Sequence, residues 1–262
     1  MSDSGSAERG SRPDVSDAVD IDGHGMIVVG AGAGIGRAAA AELARRGARI
    51  AVVDWDADRA EAAADEIGGE AFVADVSGAE QVETAVAAAE TSLGRIHALV
   101  NCAGITGQTN VRSHEVDVDD FDAVYRVNLR AAFLLSRAVI PRMLSHDYGR
   151  VLHVASMAGK EGNAGMVSYS ATKAGMIGMV KSQGKEYAET GITVNALAPA
   201  VIRTGMVDAM PEEQVEYMTS RIPMRRCGTL EEAAAMIAWI VSPACSFTTG
   251  FTFDLSGGRA TY

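Results

Sequence analysis

Seven short apolar runs, separated by stretches of helical periodicity, set what this chain can fold into. They are Met26–Val29, Arg49–Asp54, Ala71–Ala74, Ala98–Asn101, Arg150–Ala155, Thr193–Ala198 and Thr252–Leu255. They are rich in Val, Ile, Leu and Ala, and most do not alternate with polar residues. Strands buried on both faces read this way. Strand–helix–strand repetition implies right-handed crossovers, and so a single α/β domain. Its core is a doubly wound parallel sheet of about seven strands with helices on both faces.

Two helix starts carry the capping-box pattern, Ser77 with Glu80 and Thr229 with Glu232. No Pro/Gly/Ser-rich linker divides residues 23–262. The segment 204–227 departs from periodicity and holds Pro211, Pro223 and four methionines. It reads as a substrate lid or as a plain surface excursion. Residues 1–22 are rich in Ser, Asp, Gly and Ala and lack the apolar segment of a secretory signal. They read as a disordered tail.

A formal net charge of -11 disfavours nucleic acid and anionic membranes as partners, and leaves a small-molecule substrate. No apolar stretch is long enough to span a bilayer. Cys102, Cys227 and Cys245 are odd in number and far apart, with no CxxC pair. This argues against a disulfide framework and against a metal site, and fits a reducing, cytoplasmic setting.

The turn Gly30-Ala31-Gly32-Ala33-Gly34-Ile35-Gly36 follows the first strand and opens a helix. Glycines there let the backbone approach a pyrophosphate, and the helix N-terminus offers it free N–H groups. An acidic residue, Asp54, ends the second strand, as expected for a Rossmann-type dinucleotide site. Its carboxylate suits a ribose diol and repels a 2′-phosphate. Neither Trp55, Asp56 nor Ala33 supplies a compensating cation, and Arg37 is expected to face solvent. The cofactor read from these residues is NAD. Asp75 ends the third strand, where it either reaches the adenine or caps the next helix.

Tyr169 and Lys173 stand four residues apart at the start of an amphipathic helix, on one face. A free phenol titrates near about 10, too high for a base at neutral pH, and a nearby ammonium lowers it. Lys173 can also hydrogen-bond the nicotinamide ribose. Ser156 lies just past the fifth strand, at the sheet edge where such folds bind ligands. It either orients a substrate oxygen or simply caps a turn. Asn128 sits inside a long apolar helical run, Phe121 to Leu144. It is either a structural amide or a support for a proton-relay water.

In these motifs the chain resembles the short-chain dehydrogenase/reductase family, over nearly all of Met26 to Gly258. Gly30, Gly34, Ile35 and Gly36 fit its glycine turn. Asp75-Val76 fits its adenine contact, and Asn101-Cys102-Ala103-Gly104 resembles its NNAG strand end. Asn128, Ser156, Tyr169 and Lys173 fall on its catalytic tetrad. Pro199 through Thr204 resembles its carboxamide-gripping segment, pointing to Ile202 and Thr204. The resemblance implies that Tyr169 moves the hydroxyl proton while hydride moves to or from the nicotinamide. It also implies a homotetramer packed through helices near 119–144 and 168–189. Three residues depart from the family pattern: Val29 for threonine, Cys102 for asparagine and Ala200 for glycine. All three are positions of backbone support.

Other residues have plainer readings. His153 reads as a core or interface histidine, and Cys102 as a small buried hydrophobe. Lys160, Glu161 and Asn163 read as solvated loop residues or as a border of the substrate. Arg259 and the terminal Tyr262 could dock on a neighbouring subunit. The favoured function is an NAD-dependent oxidoreductase of polar secondary alcohols such as sugar acids or polyols. The rivals are a 3-oxoacyl thioester reductase and a non-catalytic NAD-binding scaffold or sensor.

Overall fold

The computed structural model describes residues 19–260 and Tyr262. Most of the expected tail, residues 1–18, lies outside the described residues. Residues 19–22 belong to the fold. Ile21 is fully buried, and its carbonyl accepts the His24 N–H at 3.0 Å. The domain therefore starts earlier than residue 23.

The seven strands are β1 (Gly25–Val29), β2 (Arg49–Asp54), β3 (Glu70–Val73), β4 (Ala98–Asn101), β5 (Gly149–Val154), β6 (Ile192–Pro199) and β7 (Thr252–Leu255). All pair in parallel, in the order β3-β2-β1-β4-β5-β6-β7. The connecting helices are α1 (Gly34–Arg45), α2 (Ala57–Ile67), α3 (Ala79–Leu93), α4 (Val118–Val124), α5 (Ala131–Leu144), α6 (Met157–Glu161), α7 (Val167–Glu186), α8 (Gly205–Asp208), α9 (Glu212–Ser220) and α10 (Leu230–Ile240).

Strand side chains alternate between faces, so one sheet feeds two cores. Ile27, Val29 and Leu99 pack with α3, α5 and α7. Met26, Val28 and Val100 pack with α1, α2 and α10. The strands are continuously apolar because both faces are covered. The edge strands are the exception: β3 and β7 are only partly buried. Among the described residues, no helix is long and apolar enough to cross a membrane.

Strand order reverses between β1 and β4, where a crevice opens past the strand ends. Two local features shape it. The helical run expected over Phe121–Leu144 is split by a π-helical stretch, Tyr125–Arg130, which contains Asn128. Such wider turns recur at functional sites. The excursion 204–227 carries α8 and α9 and is tied at its neck. Arg203 N–H donates to Gly228 O at 2.8 Å, and Gly228 N–H to Val201 O at 3.0 Å.

Of the two expected capping boxes, one forms. Glu232 N–H donates to Thr229 Oγ1 at 3.1 Å, and Thr229 N–H to Glu232 Oε2 at 2.9 Å. Ser77 does not cap. Gly78 takes the N-cap of α3, because the Ser77 N–H closes a turn on the Asp75 carboxylate at 2.9 Å. Thr229→Ala is expected to cost about 1 kcal/mol of stability, read as a lower midpoint in urea unfolding. An unchanged midpoint would mean that tertiary contacts alone hold the start of α10.

Candidate active site

The glycine turn is braced by backbone. Gly30 and Ala31 N–H groups both donate to Val53 O, at 2.8 and 3.3 Å, and Gly32 N–H donates to Asp54 Oδ2 at 2.8 Å. The absence of threonine at Val29 therefore leaves the turn held by β2. Gly30 has φ +70°, and a Cβ there would meet Ala103 N at 2.9 Å. Only glycine lets the turn lie this close to the end of β4. The N-cap of α1 is Ala33, with no side-chain cap and no acidic residue in the first turn. Its first N–H groups are thus free to bind an anion.

A cavity of about 850 Å³ runs from this helix end across the sheet. Gly30, Gly34, Ile35 and Gly36 line it on one side. Asp54, the exposed Trp55, Asp75 and Val76 line it at the outer end, and Ala103, Gly104 and Thr204 at the inner end. Asp54 is buried, with Oδ1 accepting the Asp56 N–H at 3.2 Å. Arg37 points away from it and grips Glu66 at 2.6 and 2.9 Å. The uncapped helix and the glycine wall fit a dinucleotide, and the buried Asp54 carboxylate at the outer end disfavours a 2′-phosphate. Asp75 lines the cavity and holds its own turn but does not cap α3.

Sequence reading missed two residues at this outer end, Arg59 and Gln81. Arg59 Nε pairs with Asp56 Oδ2 at 3.2 Å, and Gln81 Oε1 accepts the Asp75 N–H at 2.9 Å. Both lie in the first turn of a helix that follows a site-bearing strand end. That position is the signal that would have found them.

A second chamber of about 380 Å³ adjoins the inner end and shares Ile35, Gly104 and Thr204 with the larger cavity. Ser156, Tyr169, Lys173, Pro199 and Ile202 line it. Ser156 caps α6 by accepting the Ala158 N–H at 3.1 Å, and its hydroxyl lies close enough to the Tyr169 phenol to lower the phenol's pKa. Lys173 is fully enclosed and donates from Nζ to Val154 O at 2.6 Å. Its ammonium lies 5.6 Å from the centre of the Tyr169 ring.

The electrostatics differ from the expectation in one respect. Burial pushes the Tyr169 phenol above its ordinary value, and the Ser156 hydrogen bond pulls it down. Burial also pushes Lys173 down from 10.5 to about 8, with the Cys102 thiol opposing slightly. Cys102 itself is pushed up to about 12 by burial, so its thiol is inert.

Two expected site residues stand behind the walls and line neither chamber. Asn101 is fully buried, and its Oδ1 accepts the Ala103 N–H at 3.1 Å. Asn128 is also fully buried. It clamps Ile105, accepting its N–H at 2.8 Å and donating to its carbonyl at 2.9 Å, and it reaches Thr172 Oγ1 at 3.3 Å.

The loop after Ser156 is tied down within its own chain. Lys160 pairs with Asp254 at 2.8 Å and stacks on the Tyr262 ring, and it also reaches the Tyr262 carbonyl. Arg259 pairs with Glu161 at 2.8 Å and Asn163 at 3.1 Å. These residues are therefore paired within the chain and are not free solvated loop charges. The C-terminal residues fold back because their partners lie within reach.

Comparison with known proteins agrees with this geometry. A family model described as enoyl-(acyl carrier protein) reductase, of the short-chain dehydrogenase type, matches residues 30–260. A 2-dehydro-3-deoxy-L-rhamnonate dehydrogenase (NAD(+)) from Sphingomonas sp. (strain SKA58) is 44% identical over 92% of this chain and 96% of its own length. A 3-oxoacyl-[acyl-carrier-protein] reductase from Vibrio cholerae is 35% identical over 92% of this chain and 98% of its own length. A solved structure described as the crystal structure of gox2181 superposes with a TM-score of 0.89 at 29% identity, covering 93% of this chain and 98% of that one. The chain belongs to the short-chain dehydrogenase/reductase family of oxidoreductases.

Proposed function

We propose that this protein interconverts a secondary alcohol and its ketone on a polar sugar-acid substrate, with NAD as cofactor. The observation that carries the reaction is the meeting of Ser156, Tyr169 and Lys173 at the inner end of a dinucleotide-shaped cavity. The cofactor is NAD because a 2′-phosphate would face the Asp54 carboxylate, with Arg37 already bound to Glu66 and Arg59 paired with Asp56. The sugar-acid class follows the relative at 44% identity, named as an NAD(+)-dependent dehydrogenase of a deoxy sugar acid. A 3-oxoacyl thioester is the second reading, supported by reductases of that substrate at 34–36% identity.

NAD, when bound, supplies the hydride acceptor and, in its oxidised form, a positive ring. The protein's own residues handle the proton. Tyr169 takes the hydroxyl proton in the oxidative direction and returns it in the reductive one. Ser156 already spends one lone pair on Ala158 N–H, which fixes its hydroxyl toward Tyr169 and the substrate oxygen. Lys173 is anchored at Val154 O and holds its remaining N–H groups toward the chamber, for the cofactor ribose. Asn128 supports a relay water through the Ile105 backbone that it grips.

The excursion 204–227 acts as the lid, since Thr204 and Gly205 line the cavity and the neck at Gly228 ties both of its ends. A homotetramer would cover two exposed apolar faces. One carries Phe121, Tyr125 and Phe133 on the long split helix, and the other carries Trp239, Phe247 and Phe251 beside β7. Three free, separated cysteines fit a cytoplasmic setting.

Initial rates with NAD and a panel of sugar-acid alcohols should far exceed those with NADP. Equal use of NADP would overturn the cofactor reading, and faster turnover of 3-hydroxyacyl thioesters the substrate reading. Tyr169→Phe should lower turnover by about 10²–10⁴-fold with NAD binding kept. Unchanged turnover would remove Tyr169 from its role.

Burial of the Lys173 ammonium costs stability. Its folded-state value, about 8, is depressed from 10.5, so the unfolded chain holds the extra proton between those values. Stability from this group therefore rises as pH climbs from about 8 to 10.5. Lys173→Met should abolish turnover yet stabilise the free protein at pH 7, by the roughly 3 kcal/mol that the lowered pKa represents less the hydrogen bond lost at Val154 O. Calorimetry should show that gain shrinking as the pH is raised. A variant less stable than wild type at neutral pH would contradict this account.

A further inference from the structure

A buried polar chain behind the cofactor wall has no part in the chemistry so far. Ser136 on α5, His153 on β5 and Asn101 at the end of β4 are all fully buried. Ser136 Oγ lies 2.8 Å from His153 Nε2, and His153 Nδ1 lies 3.1 Å from Asn101 Nδ2.

The donor sense of this chain is fixed by its last member. Ala103 N–H can only donate, so the atom it meets at 3.1 Å is the Asn101 oxygen. The Asn101 amide nitrogen then faces His153. An amide nitrogen only donates, so Nδ1 carries no proton and accepts. The single imidazole proton sits on Nε2 and is donated to Ser136. One tautomer fits all three contacts of the chain.

The chain ends on a backbone that matters twice. A Cβ on Gly30 would meet Ala103 Cα at 3.0 Å, so the glycine turn rests directly on this strand end. A Cβ on Gly104 would lie 3.2 Å from Asn128 Oδ1 and 3.4 Å from Lys173 Nζ. The turn 102–104 is thus the common wall between the phosphate-binding turn and the buried ammonium. Close packing on both sides passes any displacement of that wall to both.

We propose that His153 is a positioning residue: its imidazole orients the Asn101 amide, and through it the wall 102–104 against which NAD binds. The inference rests on the reading of the cavity as the NAD site. The imidazole is suited to the task because it stays neutral. Burial pushes it down to about 3, and the Lys173 ammonium pushes the same way. Protonation of Nδ1 would set donor against donor at Asn101. It would also place a second cation near Lys173.

The test compares NAD dissociation constants by titration of wild type, His153→Leu and His153→Asn, together with imidazole ¹⁵N spectra of wild type. An asparagine oxygen can stand where Nδ1 stands, whereas leucine offers no acceptor. His153→Leu should weaken NAD binding about 10-fold, and His153→Asn by no more than about 3-fold. In wild type, the signal missing from His153→Asn should show a bare Nδ1 and a protonated Nε2 across about pH 5–8. Wild-type NAD affinity in His153→Leu, equal losses in both variants, or a proton on Nδ1 would each overturn the proposal. If His153→Leu does not fold, the wild-type spectrum and the His153→Asn affinity decide it. Failure of wild type itself to bind NAD would sink the cofactor reading, and a proposal resting on it; normal wild-type binding with any of the three adverse results sinks the His153 proposal alone.

Discussion

The close contact of Gly30 with the Ala103 backbone is the constraint on which the site depends. It occurs where the strand order reverses, between β1 and β4. There the sheet offers a crevice past its strand ends, and no side chain on Gly30 fills it. The glycine turn hangs from β2 through Val53 and Asp54, and leans on β4 through Ala103. The glycine turn, the Asp54 carboxylate and the backbone wall at Ala103 are therefore parts of one packed unit. None can shift without the others.

Polar groups are concentrated at the inner end of that unit, and each is accounted for. Asn128 spends its amide on Ile105 and Thr172, Asn101 on Ala103 and His153, and Lys173 on Val154. Buried polar groups left without partners would cost more than they do here. The ammonium still bears a desolvation penalty, seen in its lowered pKa. That penalty is the price of holding a cation beside the Tyr169 phenol at the inner end of the cavity. The loop that follows Ser156 is steadied from outside by Lys160–Asp254 and Arg259–Glu161, so the C-terminal residues reinforce the sheet edge that carries Ser156.

Much of this was legible in the chain itself. The continuous apolar runs marked the inner strands, because burial on both faces leaves no room for polar alternation. The edge strands β3 and β7 break the rule, since one flank of each meets no further strand. Thr229 and Glu232 announced the start of α10 correctly. Ser77 carried the same pattern and failed, because Asp75 competes for its N–H. The site residues were recognisable where chemistry narrows the choice of side chain, as at Gly30, Asp54 and Tyr169. Arg59 and Gln81 carried only the weaker signal of their place in the first turn of a helix, and the polar chain through His153 carried none, because its partners Asn101 and Ser136 lie far away in sequence.

The order of apolar runs and helical stretches, the glycine spacing and the Tyr169–Lys173 interval are local properties. They were fixed by the sequence alone, because strand burial, turn geometry and one helical turn each act over a few residues. The tertiary structure decided the rest. It set the direction of the Tyr169 shift through burial, turned Asn101 and Asn128 inward as supports, and bound Arg259 to Glu161 in the same chain. Those outcomes depend on which groups meet across the packed sheet and on how much water is removed around them. Spacing along the chain carries neither quantity.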